Sequence, residues 1–212
     1  MPDPSPPEPG LTPKGEATRQ RILEAASAEF AEHGIAGARV DRIAAAASTN
    51  KAQLYAYFGS KDELFDTVFM ASMQRIVEVV PISPDDLADW AVRLYDEYLA
   101  RPDLIRLATW HRLERRPTGH LLAEGRLDEA KLAAIASAQE SGAIAGLPDA
   151  GTPDPFDVMA MVISMSMAWS PVSNVYAASS EEPAAVHRRR RELLRETVRR
   201  AFAPGSGSPG VS

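Results

Sequence analysis

The sequence predicts an all-α protein, on three observations. Apolar residues recur at three- and four-residue spacing along most of the chain, and the gaps between these stretches fall on proline, glycine and capping residues. No stretch keeps the strict alternation of a half-buried strand, and no internal repeat is present. About nine helices are expected. The proline-rich residues 1–13 and the glycine-, serine- and proline-rich residues 204–212 are expected to be disordered tails.

The first helix is expected from about Glu16 to His33, with Ile22, Leu23, Ala26 and Phe30 as its apolar stripe and Gly34 ending it. A short helix follows from Val40 to Ala47. Asn50 then caps a third helix, with Gln53 at capping-box spacing, and this helix ends near Phe58. Ser60, with Glu63 three residues on, caps a longer helix that reaches Val79–Val80 before Pro81. Ser83-Pro84 is expected to open a fifth helix that Pro102 closes near Arg101. A sixth spans about Asp103 to Arg116, and a seventh about Leu121 to Ser141, ended by Gly142. The eighth is expected from Pro155 to Ala178, and the ninth, capped by Ser180, reaches Ala203.

Composition narrows the function. With no cysteine, disulfides, thiolate catalysis and zinc-thiolate sites are excluded. The net charge of −6 argues against a protein that coats nucleic acid indiscriminately. That average hides an asymmetry. From Lys14 to Lys61, seven basic residues face five acidic ones, leaving this segment at +2 and the remainder at −8. A small basic module on an acidic body suits local contact with phosphates. No nucleophile elbow, zinc-protease helix or phosphate loop is present, and the histidines at 33, 111, 120 and 187 lack metal-ligand spacing. Neither enzyme activity, nor a metal, nor a cofactor is expected. The N-terminal residues lack the basic and apolar regions of a signal peptide, and the apolar run from Val158 to Trp169 is too short to span a bilayer. A cytoplasmic protein without a membrane partner is the expectation.

Residues 38–64 carry the function. A short helix bearing Ile43 and Ala44, a tight turn, and a second short helix with Leu54 inward make the layout of a helix-turn-helix. Ile43, Leu54 and Phe58 are expected to pack with Phe30 and Ile35. Thr49, Lys51, Gln53, Tyr55 and Tyr57 are then left toward the exposed side, with the tyrosines partly packed. Glutamine can bond a base edge, lysine can reach guanine or phosphate, and tyrosine can bond phosphate oxygens.

At these residues the chain resembles the TetR family of bacterial regulators. The resemblance rests on Thr18-Arg19, Ile22-Leu23-Ala25-Ala26, Phe30, Gly34, Val40, Ile43-Ala44 and Ala47, and is strongest from Leu54 to Leu64. It implies a DNA-binding domain over residues 14–60, with the motif at about 39–58, and a helical bundle over 61–203 that binds an effector and dimerises. By the same resemblance Lys51, Gln53, Tyr55 and Tyr57 lie on the recognition helix. Lys61 donates to a phosphate from a helix N-terminus, and Thr18 and Arg19 touch the DNA backbone. Three residues depart from the family pattern. Ser48 stands at the turn position usually held by glycine. Arg39 replaces a hydroxyl cap and brings a phosphate-seeking cation, and Asn50 caps the third helix in place of serine.

The resemblance implies a regulator, more often a repressor than an activator, that binds a pseudo-palindromic double-stranded operator as a homodimer and is released by a small effector. A helical adaptor that keeps this fold without operator binding is the alternative. Phe69, Met70, Met73, Trp90, Tyr98, Trp110, His111 and Met159 are either plain core or the lining of an effector cavity suited to a mainly hydrophobic molecule. Ile163, Ser166, Met167, Leu194, Val198 and Phe202 are expected at a dimer interface formed by the last two helices. The run His187–Arg191 is expected to be a solvated face of the ninth helix, opposite Val186, Leu193, Leu194, Thr197, Val198, Ala201 and Phe202.

Overall fold

The computed structural model describes residues 12–119, 126–145 and 151–202. Among them the regular elements are nine α-helices: α1 (Pro13–Gly37), α2 (Val40–Ala46), α3 (Lys51–Phe58), α4 (Lys61–Val79), α5 (Leu87–Ala100), α6 (Pro102–Arg115), α7 (Arg126–Glu140), α8 (Pro155–Ser166) and α9 (Ala184–Phe202). The expected tails lie outside the described residues except at Thr12 and Pro13, which start α1. The Thr12 hydroxyl accepts from Gly15 N at 3.2 Å, and Pro13 takes the first helical position, where its missing N–H costs nothing. The expected start of the seventh helix also lies outside the described residues.

The chain divides into two compact units, 1–70 and 71–212, with the division inside α4 rather than at its start. In the first unit Ile22, Phe30, Ile35, Ile43, Leu54, Phe58, Leu64 and Phe65 are buried, as the periodicity requires. Phe65 meets Phe30 edge-on at 5.1 Å and stacks on Phe69 at 6.1 Å. Gly34 breaks α1 with φ 71, the left-handed region that favours glycine.

In the second unit α5 is the central helix and packs against α6, α8 and α9, while α7 packs on α8. Its core gathers Trp90, Ala91, Leu94, Tyr95 and Tyr98 of α5, Ile135 of α7, Val158, Met159 and Val162 of α8, and Leu194 and Val198 of α9. The Trp90 indole N–H donates to Val80 O at 3.3 Å, so the largest core side chain leaves no buried donor unpaired. No helix among the described residues is long and apolar enough to cross a membrane.

The limits of four helices differ from expectation, α1 among them, which starts at Pro13 and runs past the break at Gly34 to Gly37. Helix α5 opens at Asp86, whose carboxylate accepts from Asp89 N at 2.8 Å, while the Ser83 hydroxyl is taken by Arg93. Helix α8 stops at Ser166, twelve residues short of Ala178. Pro171 has no N–H to continue a helix and its ring would crowd the carbonyl of Met167, so residues 167–183 run as turns. Helix α9 begins at Ala184, one residue after Pro183, and is not capped by Ser180.

The buried stripe of α9 is also rotated from the expected one. It runs through His187, Arg190, Leu194 and Val198, while Leu193, Thr197 and Ala201 are exposed. The arginine run is therefore not a plain solvated face. Arg190 bonds both oxygens of Glu182, at 2.6 and 3.2 Å, and lies over the rings of Tyr176 and Trp169. Tyr176 donates to the same carboxylate at 2.6 Å. Arg190, then Tyr176, hold the Glu182 carboxyl down to about 2. His187 shares a 2.7 Å hydrogen bond with the Tyr95 hydroxyl, and Arg191 reaches Asp96. The polar end of α9 thus latches the 167–183 connection and docks on α5. Arg188 and Arg189 stay exposed.

Candidate nucleic-acid interface

Helices α2 and α3 are joined by a turn at Ala47–Asn50. Ser48 has φ 52, the left-handed value that its position demands, and a non-glycine residue there costs about 1–2 kcal/mol. Thr49 N–H donates to Ala44 O at 2.9 Å, which closes the turn. The Asn50 side chain then accepts from Gln53 N at 2.9 Å and caps α3. Leu54 and Phe58 point inward at 0% and 6% exposure, so the opposite side of this two-turn helix is turned to solvent.

Lys51, Gln53 and Tyr55 are exposed, and Tyr57 is half-buried with its ring tilted on Phe58. Thr49 donates its hydroxyl proton to Gln53 Oε1 at 2.6 Å. Lys51 pairs with Asp41 of α2, both side chains being about half exposed. Such an exposed pair contributes little to stability, so the lysine can exchange its carboxylate for a phosphate.

At the N-terminus of α4, Lys61 donates to the carbonyls of Ala36 and Ala38, at 3.4 and 3.3 Å. Two of its three protons thus hold the α1–α2 corner, and one remains for an anion. Just before it, Gly59 has φ 72 and ψ −74, a backbone conformation that residues with a Cβ rarely adopt, so this turn favours glycine. Arg19 lies over the Phe58 ring at 5.4 Å, a cation–π contact that links α1 to α3.

Thr18, expected to touch the DNA backbone, is tied into α1. It is 6% exposed, donates to Lys14 O, and accepts from Arg21 Nη2 at 3.0 Å, so its hydroxyl is committed inside α1. Arg21, which the sequence reading passed over, extends from there to Ala47 O at the end of α2. Arg39 stands at the N-cap of α2 without a side-chain cap, as expected. The missing cap is supplied from α1. Glu29 accepts from Arg39 N and from Arg42 Nε, each at 2.8 Å. Burial alone would raise the Glu29 carboxyl, but Arg42 and the Arg39 N–H outweigh it and hold it below its ordinary value. The thirteen residues from Glu29 to Arg42 span a helix break, so no local spacing signals this pair.

The other candidates scatter. Trp90, Tyr98 and Met159 meet, but inside the closed core at 1%, 5% and 3% exposure, where burial pushes the Tyr98 phenol up. Phe69 is buried in the first unit, Met70 is exposed, and Met73 and His111 are half-buried on α4 and α6. Trp110 instead borders an open groove of about 200 Å³ with Arg106, Thr109, Leu113, Pro171 and Val172. Of the expected interface residues, Ser166, Leu194 and Val198 are 1%, 3% and 0% exposed within the single chain, which leaves them no surface to give a partner. Ile163, Met167 and Phe202 are half-buried. Exposed apolar surface on these helices belongs to Phe156 and Met161 of α8 and Leu193 of α9.

Comparison with known proteins agrees with this geometry. Residues 22–68 match the family described as bacterial regulatory proteins, tetR family, and residues 86–200, more than half of the chain, match the tetracyclin repressor-like C-terminal domain. The chain is 48% identical over 132 residues to the HTH-type transcriptional repressor SCO4008 of Streptomyces coelicolor, a match covering 61% of this chain and 68% of that one. It is 29% identical over 109 residues to the HTH-type transcriptional repressor NicS of Pseudomonas putida, over 48% of this chain and 51% of that one. Among solved structures, a candidate transcriptional regulator from Streptomyces coelicolor, SCO4942, superimposes with a TM-score of 0.72 at 38% identity, covering 88% of this chain and 99% of that one. With a matching DNA-binding motif, a matching C-terminal domain and an exposed polar face on α3, the chain belongs to the TetR family and is a DNA-binding transcriptional regulator.

Proposed function

We propose that this regulator is a cytoplasmic repressor that binds a pseudo-palindromic duplex operator as a homodimer and is released by a small, mainly hydrophobic effector. The observation that carries the DNA half of this reading is the exposed side of α3, where Lys51, Gln53 and Tyr55 stand on a helix whose other side is closed by Leu54 and Phe58. A helix so held enters a major groove with its N-terminal residues on base edges, while Arg19, Arg39, Tyr57 and Lys61 lie where phosphates run. Exposed Met161 and Leu193, with half-buried Ile163, Met167 and Phe202, support a second copy packing on α8 and α9. The groove beside Trp110 supports an apolar effector, and the names of SCO4008 and NicS support repression.

The test starts from a random duplex DNA library enriched with the purified protein. Gln53→Ala should relax preference at one or two base pairs of the enriched sequence. Lys61→Ala should weaken binding to every sequence alike and flatten the salt dependence by about one unit, with a melting curve confirming that it folds. If both variants bind the enriched duplex as wild type does, α3 is not the reading helix.

A further inference from the structure

Gln53 is held at both ends. Its backbone N–H is bonded by the Asn50 cap at 2.9 Å, and its amide oxygen accepts the Thr49 hydroxyl at 2.6 Å. The Thr49 hydroxyl supplies the proton in this contact, because an amide oxygen can only accept. Thr49 is itself fixed by its backbone bond to Ala44 O, so the hydroxyl that holds Gln53 is set by the turn of the motif. The oxygen of the amide is therefore turned back toward the start of α3 with one of its two lone pairs taken by Thr49, and its two N–H donors are the groups turned away from Thr49.

We propose that Thr49 sets the base preference of this regulator by presenting Gln53 to the groove as a donor, so that it selects guanine over adenine. This rests on the reading of Gln53 as a base-contacting residue. Guanine offers two adjacent acceptors in the major groove, N7 and O6, and both N–H groups of Gln53 can be satisfied there. Adenine offers one acceptor beside the N6 amino group. Glutamine ordinarily reads adenine with its oxygen on N6 and its nitrogen on N7, which requires the oxygen to face the base. Held by Thr49, that oxygen faces the protein, and the amide N–H groups meet the adenine amino group donor to donor. Cytosine, which presents only an amino donor there, is disfavoured for the same reason.

The experiment uses the full-length protein and the duplex enriched from the random library. Gln53→Ala first locates the base pair at which preference is lost; if no pair responds, the reading of Gln53 itself fails. At the located pair, wild type should bind guanine about tenfold more tightly than adenine. Thr49→Val keeps the shape and removes the hydroxyl, and should bring that ratio to about twofold or below, with adenine binding improved. Thr49→Ser restores the hydroxyl and should restore the ratio. A wild-type preference for adenine, or a guanine-to-adenine ratio unchanged in Thr49→Val, overturns the proposal while leaving Gln53 as a reader.

Discussion

Phe30→Ala is expected to abolish DNA binding although residue 30 touches no DNA in this account. Phe30 is fully buried and meets Phe65 edge-on at 5.1 Å, so it joins α1 to α4 beneath the helix-turn-helix. Truncating a buried phenylalanine costs about 3–5 kcal/mol, and the lost aromatic pair adds roughly 0.5–1.5 kcal/mol. Whole domains are stable by about 5–15 kcal/mol, and small ones fall at the low end, so the first unit has little left to hold α3 in place. Circular dichroism should show loss of helix or an early melting step, and gel shifts should show no complex with the enriched duplex. Phe30→Leu, which keeps most of the volume, should bind DNA at room temperature. An alanine variant that binds within twofold of wild type would mean that this core does not position the reading helix.

Trp90→Ala is expected to have the larger effect on the second unit. Trp90 is 1% exposed in the first turn of α5, and its indole N–H satisfies Val80 O. Alanine removes the ring and leaves that carbonyl without its partner, at a cost of about 3–5 kcal/mol. For a protein of this length the midpoint of thermal unfolding should fall by roughly 6–20 °C. Trp90→Phe separates the two contributions, because it keeps most of the ring volume and loses only the hydrogen bond. Its loss should be well under half that of alanine. A Trp90→Ala protein that melts within 2 °C of wild type would contradict the placement of α5 at the centre of the bundle.

What the sequence made legible follows the range over which each signal acts. Asn50, Ser60 and Gly142 mark helix ends, and Gly34 breaks α1, through bonds or dihedral angles within a few residues, and each was readable from its position. So was the inward set Ile43, Leu54 and Phe58, because helical spacing alone selects it. The reach of α8 was not. Its apolar residues continue to Trp169, and the stop depends on Pro171 acting back across four residues.

The buried stripe of α9 was hidden for a different reason. Polar residues occupy buried positions there because their partners, Glu182 and Tyr95, lie on other segments, the latter 92 residues away in sequence. Leu194 and Val198 were therefore assigned to a partner chain when they fill the core of their own. Among the DNA-contact candidates, Thr18 has partners close by in sequence on α1 rather than on another segment. Its hydroxyl is consumed by Lys14 and Arg21 along α1, and motif position alone does not say so.

The central claim, that α3 of a two-fold dimer reads duplex DNA, is tested most directly by footprinting the wild-type protein on the duplex it enriches from a random library. Two related half-sites should be protected, centred one helical turn or a multiple of it apart, on one face of the duplex. Protection should disappear with Gln53→Ala and Lys51→Ala combined. An enrichment that converges on no sequence, or a footprint that the double variant reproduces, would contradict it.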